Sequence, residues 1–118
     1  MAEVLEPESA INKALNIIEE AKSEATKTSQ DILTAMKIYL NFMPIEVRTC
    51  NIGDIMHDMM HLTGLYHSFI NTEEATRPYY KPPLTAYMTN LREALDEVAK
   101  AITDYINENC IIPEKRKP

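Results

Sequence analysis

The sequence predicts an all-α protein, an antiparallel helical bundle of three long helices, with a break in the first as the alternative that would give four. Three observations carry this expectation. Apolar residues recur at alternating spacings of three and four along most of the chain. No segment alternates with the period of two that a half-buried strand requires, and proline and glycine are confined to a few short stretches that punctuate the pattern.

The first block covers residues 8–43, which contain neither Gly nor Pro. Pro7 precedes it and Pro44 follows it, at positions where a helix tolerates proline and where it stops. Ala14, Ile18, Ala21, Ala25, Thr28, Ile32, Ala35, Tyr39 and Phe42 fall on one stripe that runs without interruption through Thr26-Lys27-Thr28-Ser29. That continuity favours one long helix. At 1.5 Å per residue it would measure about 50 Å, more than the remaining helices of so short a chain can cover, and self-association would cover the excess. The alternative places a cap at Thr28, with Asp31 three positions on, and starts a second helix there.

The second block covers residues 52–71, capped by Asn51 or Asp54, with Ile55, Met59, Leu62, Tyr66, Phe69 and Ile70 on its apolar side. Thr76-Arg77-Pro78-Tyr79-Tyr80-Lys81-Pro82-Pro83 reads as a turn or extended loop, since prolines at three positions oppose a helix. Tyr79 and Tyr80 are expected to pack over the end of the bundle rather than to bind a partner. The third block covers residues 84–110, where Leu84, Met88, Leu91, Leu95, Val98, Ile102 and Tyr105 keep the four-three alternation over three heptads. Residues 113–118 form a basic tail, and the whole of 1–118 is one domain.

Composition narrows the functions. Of the 118 residues 45% are hydrophobic and 25% charged, which fits a chain that folds and excludes the apolar-poor make-up of disorder. Gly53 and Gly64 are the only glycines, so phosphate-cradling loops and dinucleotide fingerprints lack their raw material. A net charge of −6 argues against nucleic acid as a partner, because the one basic run, Lys115-Arg116-Lys117, reads as a solvated tail. Neither a signal peptide nor a membrane span is expected, which places the chain in the cytoplasm with no membrane partner.

Cys50 and Cys110 are too few for a disulfide scaffold and too far apart in sequence for a paired zinc motif. The antiparallel arrangement brings them to one end of the bundle, where a bridge is allowed. Two free thiols are the expectation in a reducing cytosol.

All the histidines lie in His57-Asp58-Met59-Met60-His61-Leu62-Thr63-Gly64-Leu65-Tyr66-His67. His57 and His61, four apart, share a helix face together with Asp54 and Asp58, which is how one helix can present two imidazoles and a carboxylate to a metal ion. The segment resembles the metzincin zinc-protease signature H-E-x-x-H-x-x-G-x-x-H, with His57, His61, Gly64 and His67 in register and Asp58 where that family has its catalytic glutamate. The resemblance implies a zinc-dependent hydrolase with Asp58 as the base. His67 joins the site only if the helix breaks at Gly64, since on a continuous helix it points a quarter to a third of a turn away.

The competing reading makes His57, His61, Asp54 and Asp58 the solvated side of an amphipathic helix, and it is favoured. A metal site in the bundle would need carboxylates from a second helix, for which Glu93 and Glu97 or Glu20 and Glu24 are available. Met56, Met59 and Met60 are expected as core filler rather than as an adaptable surface. The leading expectation is therefore a non-enzymatic bundle that acts through protein contacts as a homo-oligomer and needs no cofactor. The alternative is a zinc-binding protein.

Overall fold

The computed structural model describes residues 6–76 and 82–110. Four α-helices follow one another: α1 (Pro7–Glu24), α2 (Lys27–Arg48), α3 (Ile52–Thr76) and α4 (Pro82–Tyr105), the last prolonged by a π-helical turn at Ile106–Cys110. No strand occurs among the described residues. The expected all-α bundle is what the chain forms, in its four-helix version. The basic tail, Tyr79 and Tyr80 lie outside the described residues.

The favoured single first helix is the main correction. It breaks at Ala25 and Thr26, both extended, with ψ of 158° and 163°. Thr26, and not Thr28, caps the second helix, its hydroxyl accepting from the Ser29 N–H at 3.4 Å. The break has a partner that no local reading could supply. Glu73 of α3 is fully buried, and its Oε2 accepts from the Thr26 N–H at 3.0 Å and from the Thr26 hydroxyl at 2.9 Å. A carboxylate is well placed there, because the first N–H groups of a helix lack intrahelical partners and carry the positive end of its dipole.

Breaking the helix also changes which residues are inside. The stripe holds as far as Ala25, all of Ala14, Ile18, Ala21 and Ala25 being buried. Beyond the break the buried set is Ser29, Leu33, Met36, Leu40, Met43 and Val47, one residue out of phase with the expected Thr28, Ile32, Ala35, Tyr39 and Phe42. α2 carries two apolar stripes, and the break lets the chain bury the bulkier one. Phe42 is left 57% exposed.

Pro44 does not end α2, which continues to Arg48. The proline is tolerated in the helix at the cost of the N–H that would have bonded one turn back. The true end is a Schellman arrangement, in which the Asn51 N–H donates to the Glu46 carbonyl at 2.9 Å and the Cys50 N–H to that of Val47 at 3.1 Å. Cys50 occupies the left-handed position there, with φ of 55°, where glycine is usual. Pro82 and Pro83 open α4, in the first turn where proline is pre-organised, so that helix begins two residues earlier than expected.

The helices alternate in direction. Glu8 pairs with Arg48 and Glu19 with Lys37, so moving up α1 matches moving down α2. Lys13 meets Glu97 across α1 and α4. These exposed pairs report the register more than they stabilise it. The backbones of α1 and α4 and of α2 and α3 approach most closely, whereas those of α3 and α4 stand further apart. Alanines on both members of the first pair, Ala10, Ala14 and Ala21 on α1 with Ala94 and Ala101 on α4, permit close approach of the two backbones. Ile55, Leu62 and Phe69 of α3 complete the core at heptad spacing. Across the wider α3–α4 seam the Tyr66 hydroxyl donates to the Met88 carbonyl at 3.1 Å.

The expectation of free thiols is also corrected. Cys50 and Cys110 are bridged, with Cα atoms 5.5 Å apart, the π-helical turn carrying Cys110 to the cap of α2. Closing so long a loop restricts the unfolded chain, and reduction is expected to lower unfolding free energy by on the order of 2–4 kcal/mol. Urea denaturation with and without a thiol reductant measures it. Glu73→Ala is expected to cost about 1–3 kcal/mol, because it leaves the Thr26 N–H and hydroxyl without their acceptor, and the same titration reads the loss.

Candidate functional site

α3 is a continuous helix through Gly64, which has open space around it and no unusual backbone conformation. His67 therefore does not swing back to the other histidines. Its ring lies edge-on to Tyr66, 5.7 Å between centroids, and with Thr63, Ile70, Arg92 and Leu95 it lines a groove toward α4. The three-histidine arrangement implied by the protease signature is not formed. Among the described residues no group of three or more His, Cys, Asp or Glu side chains is placed to hold a metal ion within one chain.

What the fold does assemble lies on the α2–α3 seam. Tyr39 of α2 stacks on His61, ring centroids 5.2 Å apart and planes 18° from parallel. One turn back, His57 leans against His61 with centroids 4.3 Å apart. His57 Nδ1 lies 3.1 Å from Asp58 Oδ1. A carboxylate can only accept, so Nδ1 carries a proton, and in the neutral ring the lone pair lies on Nε2, on a side chain 64% exposed.

Asp58 departs from expectation. It is 6% exposed and turned toward α2 instead of lying on a solvated face. Across the seam it meets Glu46, whose Oε1 is enclosed with no donor in reach. Two carboxyl groups in that position cannot both ionise cheaply, and the proton that settles the conflict sits on Glu46. Burial, then a hydrogen bond to Asp58, then the negative charges of Asp58 and Asp54 push its pKa up to about 7, with His57 pulling slightly the other way. Asp54 has another duty. Asn51 caps α3, the Asp54 N–H donating to Asn51 Oδ1 at 3.3 Å while the Asn51 amide donates to Asp54 Oδ2 at 2.7 Å.

Of the residues anticipated from the sequence, the structure brings together His57, His61 and Asp58. It assigns Asp54 to the cap and His67 to another face. Glu97, one of the expected second-helix carboxylates, pairs instead with Lys13 of α1. The carboxylate that faces the histidine helix is Glu46, missed because Pro44 appeared to end α2 before it, and Tyr39 was missed as a stacking partner because it read as core. Met56 and Met60, expected as filler, are 60% and 72% exposed. Met60 lines a shallow depression with His57, His61, Gly64, Leu65 and Ser68.

The site supplies an oriented imidazole beside a carboxyl pair that holds a proton. Glu46 binds its proton more tightly folded than unfolded, so the sign is fixed: its contribution is favourable below about pH 4.5 and is lost as pH rises through about 7. Stability should therefore decline over that interval, and Glu46→Gln should flatten the decline. Thermal melts of both proteins across pH 4–8 test this.

No family model, curated protein or solved structure matches this chain.

Proposed function

We propose that this protein is a non-enzymatic helical bundle that works through protein contacts, and that its first partner is another copy of itself. The observation that supports the reading is the unused apolar stripe of α2. Ile38, Phe42 and Ile45 recur at spacings of four and three and are 52%, 57% and 65% exposed. They lie on the side of the helix opposite Leu33, Leu40 and Val47. Scattered apolar residues on a surface need no explanation, but an ordered stripe with Met60 on the adjoining helix is the pattern of a contact surface.

This support replaces the overlong helix as the ground for self-association, since the break at Thr26 leaves no excess length to cover. The acidic net charge speaks against nucleic acid. No described helix is long and apolar enough to cross a membrane. The bridge between Cys50 and Cys110 fits an oxidising compartment, or a cytoplasm that tolerates protein disulfides as in hyperthermophiles.

Light scattering over micromolar concentrations is expected to show a dimer or higher oligomer. Phe42→Asp, which places a charge on the stripe and leaves the core intact, should shift it to monomer. A wild-type chain that stays monomeric throughout overturns the reading.

A further inference from the structure

We propose that His57 and His61 are one half of a divalent transition-metal site, completed by the same two residues of a second copy of the chain across a two-fold axis. The proposal rests on the self-association argued above and names what joins the copies.

Three features of the pair point to a ligand. The first is its second sphere. Histidines that bind metals donate their other ring N–H to a carboxylate or carbonyl, which fixes the tautomer and the ring and raises the basicity of the coordinating nitrogen. His57 does so to Asp58 at 3.1 Å. Asp58 is itself buried and held against Glu46, so the orienting carboxylate belongs to the frame of the bundle and not to its mobile surface. This recasts Asp58 as a positioning residue for His57 rather than a ligand.

The second feature is geometry. Two imidazoles bound at 2.0–2.1 Å to one tetrahedral ion have ring centroids about 5 Å apart. Those of His57 and His61 are 4.3 Å apart, and the stack on Tyr39 holds the His61 ring in place.

The third feature is incompleteness. Two nitrogens are half of a four-coordinate shell, and among the described residues no third His, Cys, Asp or Glu is placed to join them. A two-fold axis through the ion would supply the other half from identical residues, as a symmetric dimer contact requires. The surroundings suit that occupant. Tyr39 stacks on His61, Phe42 follows Tyr39 by three positions along α2, and Met60 lines the same depression as the pair. Ile38, Phe42, Ile45 and Met60 are each more than half exposed and supply apolar surface of the kind that forms the centre of a homodimer interface.

The test uses the full chain without a histidine tag and zinc chloride as the probe, with light scattering for mass and calorimetry for stoichiometry. The expected result is one zinc per two chains and a dimer dissociation constant lowered at least tenfold by zinc and restored by EDTA. His57→Ala and His61→Ala should each abolish both effects with the helical circular dichroism unchanged, and His67→Ala should abolish neither. Asp58→Asn should weaken zinc binding about 10- to 100-fold while keeping the one-to-two stoichiometry. One zinc per chain on a monomer overturns the proposal. A dimer indifferent to zinc and to both histidine substitutions overturns it while leaving self-association standing, whereas a monomer with and without zinc overturns both.

Discussion

The buried carboxylate of Glu73 is the constraint on which the arrangement of this bundle depends. A chain that could run as one rod from Pro7 to Arg48 turns back at Thr26, and the turn leaves the half-buried Thr26 N–H without a partner in its own helix. An unpaired donor there costs about as much as the hydrogen bond it lacks. Glu73 removes that cost from a distance of 47 residues, so docking of α3 stabilises the turn. Sequence distance and structural role are decoupled at this point. The local sequence offers a rod or a hairpin, and a residue of a later helix decides between them.

That decision explains how far the sequence could be read. Helical character, direction of the helices and the regular face of α4 all follow from the spacing of apolar residues and from where prolines fall. The phase of α2 does not. Leu33, Met36, Leu40, Met43 and Val47 form as good a stripe as Ile32, Ala35, Tyr39 and Phe42, and only a break of helical phase between Ala25 and Thr26 selects the first. The end of α2 was obscured for a related reason. Pro44 gave a stop signal that packing overrode, and Cys50 stood at the left-handed cap where Gly or Asn would have announced the turn.

The histidine segment shows the same limit at the scale of a site. Spacing along one helix placed His57, His61 and Asp58 together, and spacing was enough to set His67 apart once the helix was seen to continue. It could not show that Asp58 turns inward, because its neighbour across the seam, Glu46, lies beyond Pro44, whose local signal is a helix stop. An inward aspartate changes the meaning of the pair beside it. His57 is held by a group that belongs to the interior, and the imidazoles become a fixed feature of the outer face instead of loose surface side chains.

The covalent bridge has a further meaning when it is set beside the packing. Cys50 stands just before α3 and Cys110 just after α4, so the backbone between them and the sulfur link form a closed ring whose two long sides are α3 and α4. Those are the neighbouring helices whose backbones approach each other least closely. The molecule is thus sewn shut along its widest border. At the end that carries the sulfur link, α3 and α4 cannot part without breaking a covalent bond, however wide the gap between their backbones.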